Sequence, residues 1–402
     1  MHILLAMCVM AHRTGAELFV RDVALALLKR GHTVTVYAPV MGEMVDELRA
    51  QCVACITDLR AVAQPPDLIV GNTHDETVAC LLRFAGVPAI SICHDRTAPH
   101  GRPPRFTRIR QYIAVDENCA ERLYLEHGIA RADIAIVGNG VDLQRFVPRR
   151  PLPAQPMRAA IFSNYATHSA ETAVIRAACA ARGLTLDVIG AGVGQQARSP
   201  ELLLGQYDLV FAKARAAMEA MAVGCAVILF NENMGLGGLV TPAHMQDWHR
   251  WNFGRRLLRQ AVTPESVDLA LGAYRPQDAA TVSAYVREHA SLPATVQHLE
   301  ALALQVLADE AARPPVSAEQ ELQEVGTHAG DLALQLQDLH AQLSQTARHA
   351  HALNEELTQV RRHREALLAS ASWRITAPLR WLAARSLERK HETPVADRSP
   401  RP

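Results

Sequence analysis

ILLAMCVMAHRTGAELFVRDVALALLKRGHTVTVY, residues 3–37, carries the pattern that decides the fold. Its beginning, Ile3 to Cys8, is apolar and has the length of a buried strand. A polar loop follows, and a helix pattern then runs from Leu18 to Lys29. Thr33 to Tyr37 is rich in the β-branched residues that favour a second strand. The order strand, helix, strand predicts one unit of a parallel sheet with helices on its faces.

The same alternation extends over the first 230 residues, with one interruption. Residues 148–156, PRRPLPAQP, hold four prolines in nine positions, which excludes a helix and predicts an extended linker. Two Rossmann-like lobes are therefore expected, at 1–147 and 157–312. Further first-lobe strands are predicted at 67–70, 89–93, 112–115 and 134–137, with helices at 76–84 and 118–127. The second lobe is predicted to have strands at 159–163, 186–189, 209–210 and 226–230 and helices at 171–181 and 214–222.

A different pattern begins near residue 318. From Leu332 to Leu367 mostly apolar residues recur in alternating steps of four and three, without proline or glycine. This spacing predicts a coiled coil at 318–370 and self-association, whereas the alternative is one amphipathic helix lying on the body. The tail, 371–402, interleaves Trp373 and Trp381 with arginines, which suits either a membrane interface or a short helix docked on a subunit.

Composition narrows the class of protein. Lys plus Arg and Asp plus Glu are balanced at 41 each, so no global charge favours nucleic acid. The eight cysteines are mostly scattered in apolar stretches, which indicates buried thiols in a reducing compartment. No signal peptide and no apolar run of membrane-spanning length are evident. We therefore expect a cytoplasmic protein, with peripheral contact at the inner face of a membrane as a further possibility.

Two places in the first lobe are candidates for ligand contact. The loop with Gly15 precedes a helix, whose terminal N–H groups favour an anion. His94 and Asp95 follow a predicted strand, at the sheet edge where such folds bind ligands. His94 has the pKa range for proton handling, with Asp95 orienting it. His74 has a similar position but ranks lower.

Three ordered motifs make the chain similar to a known family. They are TGAE with RGHTVTVY at 14–17 and 30–37, GNGVD at 138–142 with Phe146, and MEAMAVGCAVI at 218–228. In this respect the chain resembles the family-4 glycosyltransferases of the two-Rossmann GT-B architecture, of the type that builds bacterial surface glycans. The resemblance implies a cytoplasmic enzyme of cell-envelope polysaccharide biosynthesis. It also implies that Gly15 and Glu17 lie at the donor site, that Glu219 binds the donor ribose and that His94 lies near the reacting sugar.

The chain departs from the family at the donor site. Phe211 stands where the family has the first acid of its E-x7-E motif. The basic residues that clamp the diphosphate are replaced by a stretch that contains Asn164. Lys213 and Arg215 are candidate substitutes, because a diphosphate leaving group needs positive charge. The glycine-rich stretches that begin at Gly190 and Gly235 either supply backbone amides or are flexible turns.

The sequence therefore predicts a hexosyltransferase-like glycosyltransferase with an atypical donor site. It would move a sugar from a nucleoside-diphosphate sugar to a glycan or lipid-linked acceptor. No D-x-D motif occurs, so metal-independent transfer without a cofactor is expected, and no metal site is predicted. Two alternatives stay open: a nucleotide-sugar epimerase, and a catalytically degraded scaffold that acts through its coiled coil.

Overall fold

The computed structural model describes residues 1–377 and divides the chain into two compact units, Met1–Glu321 and a second that begins at Leu322. The first unit holds both Rossmann-like lobes, and the second holds most of one long helix. The predicted fold class is confirmed: parallel sheets with helices, followed by a helical C-terminal region.

The first lobe is built around a seven-stranded parallel sheet of order β5-β3-β1-β6-β7-β8-β9. β2 and β4 form a separate two-stranded pair. The strands of this lobe are β1 (His2–Ala6), β2 (Val9–Met10), β3 (Thr33–Tyr37), β4 (Val40–Met41), β5 (Ala54–Ile56), β6 (Leu68–Gly71), β7 (Ala89–Cys93), β8 (Ile109–Ala114) and β9 (Ile134–Ile136). Its helices are α1 (Gly15–Lys29), α2 (Met44–Ala50), α3 (His74–Arg83) and α4 (Glu117–Glu121), the last continued by a π-helical turn, Arg122–Glu126.

The second lobe has a five-stranded sheet of order β11-β10-β12-β13-β14, in which β14 alone is antiparallel. Its strands are β10 (Arg158–Phe162), β11 (Thr185–Ile189), β12 (Leu209–Ala212), β13 (Ala226–Asn231) and β14 (Gly235–Leu239). Its helices are α5 (Ala170–Ala181), α6 (Pro200–Leu204), α7 (Ala214–Val223), α8 (Met245–His249), α9 (Pro264–Gly272) and α10 (Pro276–His289).

The core of the second lobe forms on both faces of this sheet. On one face α7 packs against β12, β13 and α10, and its Ala217, Met218, Ala220, Met221 and Ala222 are fully buried. Phe211, at the position of the missing acid, is also fully buried, and it contacts Phe230 edge-to-face with ring centroids 6.3 Å apart. Because this side chain belongs to the core, no polar group at that position faces the cleft.

The glycine-rich stretch that begins at Gly235 is an edge strand, so of the two predicted alternatives the flexible turn is wrong. Leu236 donates its backbone N–H to the Gln260 carbonyl oxygen at 2.8 Å and accepts a bond in return. A Cβ on Gly235 would lie 2.4 Å from that same oxygen, and the backbone of Gly235 has a φ of 105°. The glycines therefore allow the segment after the strand to approach closely, and the amide of Leu236 is engaged within the fold.

The helix α11 (Leu292–Ala311) returns to the first lobe, although the predicted boundary at residue 312 assigned it to the second. Glu300 accepts hydrogen bonds from Arg30 Nε at 2.8 Å and from His32 Nε2 at 2.6 Å. Nearer the end of the helix, Glu310 pairs with Arg110 at 2.6 Å. Buried Val296, Leu299, Ala303 and Val306 form its packed face.

The second unit is dominated by α12 (Ala318–Ala369), a helix of 52 residues with no buried side chain, and a short α13 (Ala371–Ile375) follows. The leucines of the predicted heptads lie on its exposed surface. The prediction for the basic and tryptophan-rich tail falls mostly on residues 378–402, which lie outside the described residues. Within residues 1–377, no helix has both the length and the apolarity needed to cross a membrane.

Candidate active site

The carboxyl ends of the parallel strands in both lobes open onto one cleft, as expected for open α/β sheets. His94 and Asp95 follow β7 of the first lobe, and Lys213 follows β12 of the second. Asp95 and Asp116 of the first lobe are close enough to favour the charged form of Lys213. The structure thus brings together three of the residues that the sequence indicated, from two different lobes.

Lys213 is a cation without a partner in the part of the chain that the structure describes. Among residues 1–377 its half-buried ammonium group forms neither an ion pair nor a hydrogen bond. Burial lowers the pKa of Lys213 and the nearby Arg255 lowers it further, whereas Asp95 and Asp116 oppose the shift. Lys213 is also the N-cap residue of α7, where unsatisfied backbone N–H groups add positive potential. This arrangement favours an anion.

Strained backbone surrounds this lysine. Ala214, Asn252 and Phe253 have φ values of 50°, 54° and 48°, in the left-handed region that residues with a side chain rarely adopt. They are joined directly, because Ala214 donates its N–H to the Phe253 carbonyl oxygen at 2.9 Å. Such strain persists only where the surrounding structure holds it, and it clusters at functional sites.

His94 is held as a neutral imidazole with its proton on Nε2. Asn72 donates its Nδ2 hydrogens to the carbonyl oxygens of Ala6 and Val70, at 3.2 and 3.3 Å, which turns its Oδ1 towards the histidine. His94 Nε2 lies 2.8 Å from this Oδ1 and must therefore be the donor. Burial lowers the pKa of His94 to about 4, aided by His100 and opposed by Asp95. Nδ1 accepts no hydrogen bond within the described residues, so it is left as an acceptor.

Asp95 organises the loop after β7 and has no hydrogen bond to His94. Its Oδ1 accepts from Thr97 N at 2.6 Å, from Thr97 Oγ1 at 2.9 Å and from Ala98 N at 2.8 Å. Burial alone would raise the pKa of Asp95, but these hydrogen bonds and the charge of Lys213 lower it overall. Asp95 therefore contributes a fixed negative charge beside Lys213.

Arg215 and Glu219 lie in a buried chain of ion pairs that crosses between the lobes. Arg215 donates from Nε to Glu219 Oε1 at 2.8 Å and from Nη2 to Asp22 Oδ2, on α1 of the first lobe. Asp22 in turn accepts from Arg21 at 2.7 and 2.8 Å. Glu47 joins Arg21 at 3.1 Å, and the chain ends at Arg13. The guanidinium of Arg215 is thus occupied by two carboxylates and fastens one lobe to the other.

Burial shifts the pKa values of the carboxyl groups in this series of ion pairs. It raises the pKa of Glu219, with Asp22 adding to the rise and Arg215 opposing it. For Asp22, burial is outweighed by Arg215 and Arg21, so its pKa falls below the usual value. Glu219 Oε2 accepts no hydrogen bond from the described residues, so one carboxylate oxygen is left for a ligand hydroxyl.

Gly15 and Glu17 shape the first loop. Glu17 is buried and accepts four hydrogen bonds: from Ala11 N and His12 N at 3.3 and 3.0 Å, and from Thr14 N and Oγ1 at 3.0 and 2.8 Å. The bond from Thr14 N belongs to a capping box at the start of α1. A Cβ at Gly15 would meet nothing within 4 Å, so no close approach within the chain requires glycine there.

Asn164 contacts this loop from the second lobe, and Gly190 lies beside Asn164. Asn164 Nδ2 donates to the carbonyl oxygen of Arg13 at 2.9 Å, a second contact between the lobes. Gly190 lies so close to the preceding loop that a Cβ would stand 1.9 Å from the Ser163 carbonyl oxygen. Its N–H donates to the Gln195 carbonyl oxygen at 3.0 Å, so this amide is engaged within the turn.

Sequence reasoning missed Asp22, Asn72 and Arg255. Arg255 donates to Thr97 Oγ1 at 3.0 Å and so adds a third contact between the lobes. Asp22 carried a usable sequence indication, because it is an acid between the apolar Val20 and Val23 of a helix expected to be buried. The sequence around Asn72 and Arg255 gave no such indication, because their roles depend on which loops meet in the folded protein.

The role of Glu17 can be separated from ligand binding by its effect on stability. We expect Glu17→Ala to lower the free energy of unfolding by about 2 kcal/mol, because four donors lose a charged acceptor. Glu17→Gln, which keeps the acceptor oxygen of the capping box, should lose less. Urea unfolding followed by circular dichroism measures both. Unchanged stability together with lost nucleotide affinity would instead indicate direct ligand contact.

Comparisons with known proteins agree with this architecture. Residues 13–145 match the family model of Glycosyltransferase Family 4. A glycosyltransferase from Rickettsia africae ESF-5 is similar in structure, with a TM-score of 0.51, 12% identity, and coverage of 76% of this chain and 98% of that one. HepE of Anabaena, solved in complex with UDP-glucose, has a TM-score of 0.56 and 15% identity over 75% of this chain and 99% of its own. No protein of curated function matches the sequence significantly.

These findings define the fold. The chain has the two-lobed GT-B fold, and its first lobe is similar to the Glycosyltransferase Family 4 model from the loop before α1 to just before the linker.

Proposed function

We propose that this protein is a glycosyltransferase that moves a hexose from a nucleoside-diphosphate sugar to a glycan or lipid-linked acceptor. The observation that carries the proposal is the ammonium of Lys213 at the N-terminus of α7, which has no partner within residues 1–377 and lies near Asp95, the residue that follows His94. HepE of Anabaena, which has a similar fold, was solved with UDP and with UDP-glucose. A diphosphate is the anion that this cation and helix terminus would bind.

Each residue then has a chemical task. Lys213 and the N–H groups of Arg215 and Ala216, which follow the engaged N–H of Ala214 in the first turn of α7, neutralise the charge that develops on the leaving diphosphate. His94 accepts a hydrogen bond from a sugar hydroxyl at Nδ1, which has no hydrogen-bond partner within residues 1–377. Glu219 offers Oε2 to a ribose hydroxyl, while Arg215 fixes its other oxygen. With positive charge supplied by the chain itself, we propose that transfer requires neither a divalent cation nor a cofactor.

The wider setting is also a proposal. The resemblance to family-4 enzymes favours a role in bacterial cell-envelope polysaccharide synthesis, at the cytoplasmic side of the membrane. The exposed leucines of α12 favour a homo-oligomer, and the tryptophans and arginines of the tail suit peripheral membrane contact.

One set of observations favours a second candidate, a binding scaffold without catalytic activity. Phe211 replaces an acid with a core side chain, and Arg215 is committed to two carboxylates. Such a protein would keep the fold while its donor chemistry was lost.

Release of a nucleoside diphosphate separates the two candidates. The purified protein is incubated with single nucleotide sugars and a mixture of lipid-linked and free glycans, with EDTA present or absent. We expect one donor to yield free nucleoside diphosphate in an acceptor-dependent manner, at an unchanged rate in EDTA. If no donor in a full panel yields nucleoside diphosphate, the scaffold is the better account.

The pH profile tests the state of His94. Because the pKa of His94 lies near 4, its Nδ1 stays unprotonated down to that pH, and we expect kcat/KM to show no acid limb near 6.5. His94→Gln should lower kcat about 100-fold, as expected for a lost proton acceptor. An acid limb at pH 6 to 7 that disappears in His94→Gln would contradict the neutral assignment.

The same shift has a consequence for stability. Since the folded-state pKa of His94 lies below its unfolded value, the unfolded chain binds the proton more readily. The histidine's contribution is therefore fully present above about pH 6.5 and is lost as the pH falls towards 4. His94→Gln should show a shallower loss of stability across this interval.

A further inference from the structure

The apolar stripe of α12 is exposed along its whole length. Its leucines, whose relative exposure is 39–66%, occupy a single seam of the helix: Leu332, Leu336, Leu339, Leu343, Leu353 and Leu357. No residue of this helix is buried among the described residues. A single helix cannot remove such a stripe from water, so a partner surface of the same length is required.

The steps of four and three fix the heptad position of each residue. Leu336, Leu343, Ala350, Leu357 and Arg364 fall at position a. Leu332, Leu339, Thr346, Leu353, Val360 and Leu367 fall at position d. The seam therefore contains three residues that are not large and apolar: Thr346, Ala350 and Arg364.

A parallel, in-register pair would bring each of these three against its own copy. Arg364 would face Arg364 of the partner subunit across the core, two like charges at close range. Ala350 and Thr346 would form two adjacent small layers near the middle of the pair, each leaving space unfilled. The sequence is thus poorly matched to itself in this direction.

An antiparallel pair matches the same seam well. When position a of one helix faces position d of its partner, Leu332 is opposite Leu357 and Leu336 is opposite Leu353. In the same register Leu339 is opposite Ala350 and Leu343 is opposite Thr346, so both small residues between 332 and 357 meet a leucine. Arg364 falls beside Val325, where its aliphatic stem can pack while the guanidinium reaches water.

The charges along the helix also favour the antiparallel direction. Residues 318–343 contain five acidic residues and no Lys or Arg, whereas residues 344–369 contain four arginines and three glutamates. Antiparallel pairing places the acidic half of each helix beside the arginine-containing half of the other. Parallel pairing would place two halves of net charge −5 side by side.

We infer that α12 binds a second copy of this chain as an antiparallel two-stranded coiled coil, in the register that places Leu332 opposite Leu357. The inference rests on the proposed self-association but not on the proposed chemistry. The two-fold axis crosses the seam between Leu343 and Thr346.

Disulfide trapping in the full-length protein tests both the partner and the direction. Leu332→Cys and Leu357→Cys are made singly and together in a Cys52→Ser background, because Cys52 is the exposed native cysteine. In the antiparallel pair two copies of residue 332 are about 37 Å apart, from 25 residues at a rise of about 1.5 Å. Neither single variant should then form a dimer on mild oxidation, whereas an equimolar mixture of the two should.

Three results would overturn the inference. Dimers from each single variant alone would show a parallel pair. A monomeric mass of the parent protein by light scattering would show that no second copy binds, and a different partner would then cover the stripe. Trapping by Ala352→Cys, which lies on the outer face, would show that the disulfides form at random.

Loss of leucine could itself weaken the pair, so a second set of variants is required. Leu339→Cys and Ala350→Cys face each other in the same register, and the alanine position removes no apolar volume. The molar mass of each reduced variant is measured by light scattering before oxidation, which shows whether the variant still forms the pair. Nucleotide-sugar turnover, measured on the same samples, reports the chemistry separately, so failure of the pairing and failure of the proposed function are distinguishable.

Discussion

Arg215→Met should lower the free energy of unfolding by about 3–5 kcal/mol, the range for breaking a buried ion pair by removing one partner. Arg215, Asp22 and Glu219 are all nearly inaccessible to water. Asp22 would keep Arg21, but Glu219 would lose the hydrogen bond to its Oε1 and its only ion-pair partner within residues 1–377. Urea unfolding of the whole chain, followed by circular dichroism, measures the loss.

Two further variants show whether the unpaired charge of Glu219 causes the destabilisation of Arg215→Met. Arg215→Lys keeps the positive charge but lacks the planar guanidinium whose N–H groups reach both carboxylates. We therefore expect an intermediate decrease in the free energy of unfolding. Glu219→Gln added to Arg215→Met removes the unpaired charge and should restore part of the stability. A loss below about 1 kcal/mol for Arg215→Met would contradict the importance of this ion chain.

The pH dependence of Arg215→Met follows from the same charges. Without the arginine, the opposing influence on Glu219 disappears and its pKa rises further above the unfolded value. A group whose folded pKa is raised contributes stability that is present at low pH and lost as the pH rises. Relative to the parent protein, the variant should therefore gain stability on acidification from neutral pH towards the usual glutamate range.

Lys213→Met should reduce turnover of the nucleotide-sugar donor about 100- to 1000-fold, the cost of losing one preorganised group at a developing negative charge. Its stability should not fall, because a half-buried cation that has no partner within residues 1–377 is replaced by an apolar side chain of similar length. Donor-dependent release of nucleoside diphosphate gives kcat and KM for both proteins.

The control for this change keeps the charge. Lys213→Arg places a guanidinium at the same helix terminus and should retain at least a tenth of the activity, whereas Lys213→Met should not. Full turnover by Lys213→Met would show that the diphosphate lies elsewhere, and Arg255 would be the next cation of the cleft to test.

Much of the fold was predictable from local pattern. The predicted strands Thr33–Tyr37 and Ala89–Cys93 agree with β3 and β7 at both ends, because each is a short apolar run bounded by residues that break strands. The prediction failed for β14, whose glycines weaken every local preference for a strand. There the decisive factor is the close approach of Gln260, a contact distant in sequence.

The candidate site was predictable only in part. His94 could be found because it follows a predicted strand at the ligand-binding edge of the sheet, and Lys213 because a diphosphate leaving group needs positive charge. The ion pair between Arg215 and Asp22 could not be predicted, because Asp22 is 193 residues away in sequence and meets Arg215 only when the two lobes are in contact. The sequence did not indicate that Glu17 accepts hydrogen bonds from the backbone of the loop before α1. Its predicted role at the donor site stays a prediction.

Isothermal titration of a nucleoside diphosphate panel tests the central claim most directly. The claim is that the cleft between Lys213 and His94 is a nucleoside-diphosphate site. We expect one nucleoside diphosphate to bind with one site per chain, and its affinity to fall at least tenfold in Lys213→Met while Glu17→Gln binds normally. Absence of binding by every member of the panel, or equal affinity in Lys213→Met, would contradict the account.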